Sequence, residues 1–373
     1  GKQGCVLAPT LFSFIFSMML PSAFNESDLI IQIPYRTDKA IFNTQRLKAK
    51  TKVTSALVRY LLYADDCAIV AHSEEDLQQL TTSLSEATKR FGLTISIKKT
   101  EVLFQPAKTS SSSLPNIQID GKVLNNVDSF TYLGSTLSST TSLDKEISSR
   151  ISKANASFGR LHKRVWKERG LRVDTKCAVY RAVVLTALLY GCESWTLYSR
   201  HVKLLEQFHQ RCLRQILNIK WFNRVSNVNV LEKAMMPSIE AILIQSQLRW
   251  SGHLTRMQDS RLPKQLFYCD LAEGHRGRGR PKLRYKDTLK QSLQKCNIGT
   301  DVWEEKTVDR SEWRQTVYSG TKLYESERRK KQLDIRAAAK HRAQTVKRTI
   351  LCPVCSHLCA SDFGLRSHMR VHK

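Results

Sequence analysis

The sequence predicts an α+β chain built in series, with a sheet-rich part first, helices after it and a small metal-type module at the end. Three observations carry this. Short apolar runs alternate with turn signals up to about residue 140. Apolar residues then recur every three or four positions. Two Cys and two His close the chain at a fixed spacing. With 373 residues the chain is long enough for two or three domains.

In the first part, Leu7–Phe24 is the most apolar run, but Pro9 and Pro21 interrupt it, so it reads as a buried helix and not a membrane span. Leu61–Val70 reads as strand, tight turn, strand, with Asp65 and Asp66 at the bend. A helix follows: Ser73 can cap it, Glu74, Glu75 and Asp76 suit its N-terminal dipole, and Leu77, Leu80, Leu84, Ala87 and Phe91 share a face before Gly92. "LTISI" and "TEVLF" predict two more strands, and "AKTSSSS" a flexible linker. "IQIDGKVL" predicts a hairpin turning at Asp120-Gly121, and "FTYLGSTL" (Phe130–Leu137) closes this half.

Helices come next. Leu143, Ile147, Ile151, Ala154, Phe158, Leu161 and Val165 form one apolar stripe. Gly170 and Gly191 bracket a second helix, and Leu205, Phe208, Cys212 and Ile216 face inward on a third, about Ser199 to Ile219. Three helices with short connections predict a small bundle. Pro237 is suited to open another helix at its first position. Glu325–Arg348 has strong helix formers but a poor apolar stripe, as expected of a solvated helix or one laid on nucleic acid.

The net charge of +27 points to a polyanion as partner, since neutralising phosphates releases counterions. Residues 275–348 alone hold 21 Lys/Arg against 9 Asp/Glu. Seven of the ten cysteines are scattered without a pairing rhythm, as in a reduced, cytosolic or nuclear protein. No signal peptide is visible and the chain starts without Met, which reads as a fragment or a processed chain.

Two carboxylates at a hairpin tip make an oxygen site for Mg²⁺, which completes its shell with water and substrate phosphates. An exposed Asp-Asp turn is the plainer reading of the dipeptide alone, but the apolar arms in "LLYADDCAIVA" predict a buried hairpin aimed at something. "YADD" with these flanks resembles the catalytic turn of reverse transcriptases. "KQGCVLAPTLF" (Lys2–Phe12) resembles the segment before that turn, "GLTISIKKTEVLF" (Gly92–Phe104) the segment after it, and "FTYLGSTL" the primer-gripping hairpin. Four motifs in order, continued by "LLYGCESW" (Leu188–Trp195), are similar to LINE-type (non-LTR) retrotransposon reverse transcriptases. The resemblance covers roughly residues 1–220 and continues more loosely beyond.

It implies a partial polymerase palm over 1–140, a helical thumb over 141–221, a basic helical tail over 222–348 and a zinc finger over 349–373. Asp65 would hold Mg²⁺, with Asp66 as the supporting acid. Tyr63 would pack near the primer end, Gln3 and Gly4 against the incoming nucleotide and template, and Lys99 would meet the leaving pyrophosphate. Tyr132, Leu133 and Gly134 would position the primer terminus. Ala8 departs from the serine usual in its segment. The family's first catalytic aspartate lies upstream of the segment at which this chain begins, so the resemblance implies an incomplete metal site and no DNA synthesis by this chain alone. RNA template and DNA primer or target are the implied partners, and the nucleus, with cytoplasmic passage, the implied location. The alternative is a non-catalytic nucleic-acid-binding remnant or co-opted zinc-finger protein.

At the other end, Cys352-x2-Cys355-x12-His368-x3-His372 has the spacing of a tetrahedral Zn²⁺ site and resembles a two-Cys, two-His zinc finger. Leu365 falls at the core leucine position; Cys359 replaces the usual aromatic, and Phe363 is expected to fill part of that space. Cys359 and His357 read as a small core residue and a surface histidine ahead of competing ligands. The base-reading positions would be Ser361, Gly364 and Ser367, which predicts little sequence specificity. Between the two ends, "HRGRGRPKLRYK" supplies Arg276, Arg278, Arg280, Lys282 and Arg284 as nucleic-acid contacts. Its Arg-Gly-Arg-Pro core resembles an AT-hook, but a flexible basic linker that binds any phosphate is the preferred reading.

Overall fold

The computed structural model describes residues 7–24, 29, 31–49, 51–106, 113–270, 279, 282–345 and 350–372. The first apolar run is a helix, α1 (Ala8–Phe24). It buries one face only. Met19, Leu20, Ala23 and Phe24 pack on Leu80, Leu84 and Ala87 of α2 (Glu74–Arg90), while Leu11, Phe14, Ile15 and Met18 stay exposed. The expected cap of α2 forms, with Ser73 Oγ accepting from the Asp76 N–H at 3.1 Å.

Between these helices run β1 (Ile31–Tyr35) and β2 (Thr54–Val58), paired antiparallel, then β3 (Tyr60–Tyr63) and β4 (Asp66–Ile69), a second antiparallel pair. "TEVLF" supplies the short β5 (Glu101–Val102). "LTISI" is no strand. Leu93, Ile95 and Ile97 do turn inward at alternate positions, but no neighbouring strand pairs with them, and Ile97–Lys99 closes as a single 3-10 turn. The Asp120-Gly121 turn joins β6 (Gln118–Ile119) and β7 (Lys122–Val123), both turn residues at positive φ. β8 (Asn125–Asn126) lies parallel to β5. β9 (Ser129–Tyr132) and β10 (Ser135–Ser138) form the last hairpin. Every sheet among the described residues has two strands.

The helical part begins with α3 (Asp144–Arg160). α4 (Val173–Val179) runs through a π-helical stretch, Tyr180–Leu185, into α5 (Thr186–Leu188). α6 (Ser199–Ile216) and α7 (Asn227–Lys233) follow. Their apolar stripes meet around Tyr180, Val184, Leu188, Leu205 and Leu213, the predicted bundle core. Pro237 stands just outside α8 (Ile239–Arg256), which is capped by Ser238 through the Ala241 N–H. A hydroxyl satisfies a helix-end N–H where proline cannot, so the helix starts two residues later than expected.

The segment read as a basic tail contains a second core. α8, α9 (Leu262–Tyr268), α10 (Tyr285–Lys295), α11 (Trp303–Lys306) and the first half of α12 (Arg310–Thr345) enclose Leu248, Phe267, Leu289, Trp303 and Trp313. Ile41, from the loop after β1, is buried among them, and the Tyr268 hydroxyl donates to buried Glu304 at 2.9 Å. The second half of α12, residues 331–341, is exposed throughout. The chain ends in β11 (Ile350–Leu351), β12 (Leu358–Cys359) and α13 (Asp362–Met369), a ββα module. No helix among the described residues is long and apolar enough to cross a membrane.

Candidate active-site hairpins and metal centre

Tyr63 pairs with Asp66 across the β3–β4 hairpin, which leaves Ala64 and Asp65 as a two-residue turn. Ala64 takes a positive φ of 52°, a conformation that L-residues other than Gly, Asn and Asp seldom adopt. The inner faces hold the hairpin down: Tyr60, Leu62, Cys67 and Ile69 pack on the α1–α2 core, and the Tyr60 ring stacks on Phe24 at 5.0 Å. Arg59 donates to the Phe24 carbonyl at 2.7 Å, tying the start of β3 to the C-terminal end of α1. The outer face is open, contrary to the burial expected from the apolar arms. Asp65 and Asp66 are exposed, Tyr63 is 67% exposed and Leu61 38%. A two-stranded hairpin lying on one helix layer can bury only alternate residues.

The β9–β10 hairpin comes to this same edge. Tyr132 donates its hydroxyl to the Leu61 carbonyl at 3.0 Å, crossing from one hairpin to the other. Partial burial, then the neighbouring Cys67 and Asp66, push the Tyr132 phenol above its ordinary pKa, which keeps it a neutral donor. The turn after it is Leu133-Gly134, both at positive φ (48° and 84°). Glycine takes that geometry freely; leucine pays about 1–2 kcal/mol.

The contacts that hold this turn come from residues the sequence reading missed. Tyr190 donates to the Leu133 carbonyl at 3.0 Å. Arg150 and Lys153 donate to the Gly134 carbonyl at 2.6 and 3.3 Å. The Arg150 guanidinium lies 4.4 Å from the centre of the Tyr190 ring and 2.7 Å from the Glu146 carboxylate, which also accepts the Thr136 N–H at 2.7 Å. An acid and an arginine four residues apart beside Ile147 and Ile151 was the available signal.

Lys99 is exposed at the end of its 3-10 turn and forms no ion pair among the described residues. Gln3, Gly4, Arg276, Arg278 and Arg280 lie outside the described residues. Lys282 donates to the Thr140 carbonyl and the Thr141 hydroxyl at 2.8 and 2.9 Å. Arg284 faces Asp270 and Asp287 at 3.7 and 3.3 Å, and its N–H is capped by Asp287 at 2.9 Å. The end of the basic linker is thus bound to the helical part.

The Cys/His group is assembled. The donor atoms of Cys352, Cys355, His368 and His372 all lie within 4.8 Å of one another. Cys355 Sγ is 3.0 Å from His368 Nε2, His368 Nε2 is 3.1 Å from His372 Nε2, and Cys352 Sγ is 3.7 Å from His372 Nε2. Metal–ligand bonds of about 2.0–2.3 Å give a tetrahedron with edges of roughly 3.3–3.8 Å; the Cys352–His372 separation falls in that range and the other two are a few tenths shorter, so the donor set of two thiols and two imidazoles is one a tetrahedral metal such as zinc takes. Burial would push the Cys352 thiol up, but the N–H groups of Cys355 and Val354 and the Cys355 side chain hold it below its usual value, toward the thiolate a metal takes. Burial and the imidazoles of His357 and His372 hold His368 below its usual value, toward the neutral form that ligates. Cys359 is buried as a small core residue and His357 is exposed against the His368 ring. Phe363 does not fill the core: it is 82% exposed. Ser361 caps α13 by accepting the Gly364 N–H at 3.1 Å.

Two hairpins thus meet at one edge, one presenting carboxylates and the other hydrogen-bonded to it, and a Cys/His group is assembled in the ββα module. The family of reverse transcriptases (RNA-dependent DNA polymerases) matches residues 2–137. The chain is 24% identical over 241 residues to the RNA-directed DNA polymerase from mobile element jockey of Drosophila funebris, covering 61% of this chain and 22% of that one. Its identity to the polymerase of transposon BS of Drosophila melanogaster is 22% over 262 residues, covering 68% and 26%. It is also 23% identical over 272 residues to a transposon-derived protein of Caenorhabditis elegans, covering 70% of this chain and 95% of that one. The jockey and transposon BS polymerases are of non-LTR elements, which favours that lineage over a separately derived zinc-finger protein. The chain spans about a fifth to a quarter of the length of the polymerases it matches.

Proposed function

We propose that this chain is the C-terminal part of an RNA-directed DNA polymerase of a non-LTR retrotransposon, supplying its acidic turn, primer-gripping hairpin, helical bundle and zinc finger. The Tyr132–Leu61 hydrogen bond carries the reading, because it sets the hairpin that would hold a primer terminus directly against the hairpin that carries Asp65. Asp65 and Asp66 are the residues that would hold Mg²⁺, which would supply charge neutralisation for phosphoryl transfer. Their exposure suits this, since Mg²⁺ keeps several waters and substrate oxygens in its shell. Tyr63 would lie along the primer end, and Lys99 is free to meet a phosphate. Among the described residues no third acid, Cys or His is grouped with the two aspartates. The exposed stripe Leu11, Phe14, Ile15 and Met18 is where further polymerase structure would pack. Zn²⁺ is the metal we assign to Cys352, Cys355, His368 and His372, in a module that binds phosphates without reading a base triplet. RNA template and DNA primer or target are the partners, met in the nucleus after cytoplasmic passage, a location that imaging of a tagged chain checks.

The test is primer extension on an RNA template. The chain alone is expected to extend nothing; joined in frame to the upstream half of such a polymerase it should extend with Mg²⁺ and lose at least a hundredfold on Asp65→Ala. Activity indifferent to Asp65→Ala would overturn the reading.

A further inference from the structure

A basic cleft of about 910 Å³ opens in the helical bundle and shares no lining residue with the Asp65 or Leu133 hairpins. Its walls are the π-helical turn His162–Trp166 with the residues after it, the C-terminal half of α6, and the segment leading to α7. Lys167, Arg169, Arg211, Arg214 and Lys220 line it, and none of them forms an ion pair among the described residues. Two acids are also in the wall: Glu168 accepts the Gly170 N–H, and Glu206 accepts the Ile239 N–H and the Gln210 side-chain amide. The wall therefore carries more cations than acids, a local excess of positive charge that attracts an anion.

At the cleft's edge the chain turns. Lys220 is in the wall, and the next two residues, Trp221 and Phe222, are 89% and 62% exposed with rings 5.9 Å apart and nearly perpendicular. Their turn is a fixed one. Asn223 Oδ1 accepts the Lys220 N–H at 2.7 Å, and Arg224 leaves the turn at a positive φ of 51°. The surface therefore displays two aromatic faces on a rigid mount beside a cationic groove. Phosphates suit the groove, and unpaired bases, which have free π-faces, suit the rings. A duplex hides those faces, which excludes it from the aromatic pair. Gln207, Gln215 and Asn218 in the wall each offer a donor and an acceptor, the combination that ribose 2′-hydroxyls use.

We propose that this cleft and the Trp221–Phe222 pair bind an unpaired stretch of RNA, independently of the metal-binding hairpin. The test uses the full chain and a fluorescent, unstructured oligoribonucleotide of about 12 nucleotides, read by anisotropy across a salt series. Trp221→Ala is expected to weaken binding about tenfold or more without changing the salt slope, and Trp221→Phe to keep most of the affinity. Lys220→Ala should lower the slope of log K against log salt by about 0.7, the value for one lost phosphate contact on a single strand. Lys331→Ala, on the exposed half of α12, controls for general basicity. Unchanged affinity of Trp221→Ala, equal dependence on Trp221 for a duplex, equal affinity for single-stranded DNA, or loss of self-association in place of RNA binding would each overturn the proposal. Because no step needs DNA synthesis, its failure is distinguishable from failure of the polymerase reading.

Discussion

Arg150 is buried with its charge, and its surroundings explain how the Leu133-Gly134 turn keeps a backbone that leucine disfavours. Its side chain is 5% exposed and that of Glu146 2%, one turn apart on α3. Each member also holds the β9–β10 hairpin, Arg150 through the Gly134 carbonyl and Glu146 through the Thr136 N–H. Removing one partner leaves the other charge buried and alone, which costs about 3–5 kcal/mol. Glu146→Ala is therefore expected to lower stability by about 3 kcal/mol in denaturant unfolding, whereas Arg160→Ala, on the exposed end of the same helix, should stay within about 0.5 kcal/mol. Asp65, Asp66 and Tyr132 stand in local motifs, which a sequence reading can single out. Glu146, Arg150 and Tyr190 stayed hidden because their task is long-range: each reaches a backbone carbonyl or N–H far along the chain, and no spacing announces that.

At the scale of elements, hairpins and helices with a strong period were readable. α2, α3 and α6 follow their apolar stripes, and the Asp120-Gly121 turn follows its residues. "LTISI" has a strand's alternation and lacks a strand's partner, and alternation alone cannot reveal a missing neighbour. The ββα module was legible from four residues because Cys352, Cys355, His368 and His372 keep a fixed spacing. Residues 350–372 have little core beyond Cys359, Leu365 and Met369, too small to fold without a staple. Chelation of zinc is expected to abolish hydrogen-exchange protection in this module while leaving α3 to α8 protected. His372→Ala should reproduce that loss without a chelator.

Across the whole molecule, the second core was the main feature not foreseen. Its large members, Ile41, Phe267, Trp303 and Trp313, come from four separate elements, so no window of sequence shows them together. The positive charge around them drew attention to the surface instead. Trp313 is packed across α8, donating its indole N–H to the Leu248 carbonyl at 2.9 Å. It does so over Gly252, where an added Cβ would lie 2.1 Å from the indole nitrogen. Trp313 is 2% exposed and has no room to yield. Gly252→Ala is expected to destabilise the protein by about 1–3 kcal/mol, with a lower thermal midpoint.

α8 faces two ways, with Ile239 and Leu243 in the bundle core and Ile244, Leu248 and Leu254 in the second. During synthesis these faces mature at different moments. The bundle's partners have already emerged when α8 leaves the ribosome, but Trp303 and Trp313 follow after roughly 50–60 further residues, a delay of several seconds at about 10 residues per second. For that interval the nascent chain carries an open apolar strip beside a finished bundle, the point at which it is most exposed to misassembly and most in need of a chaperone.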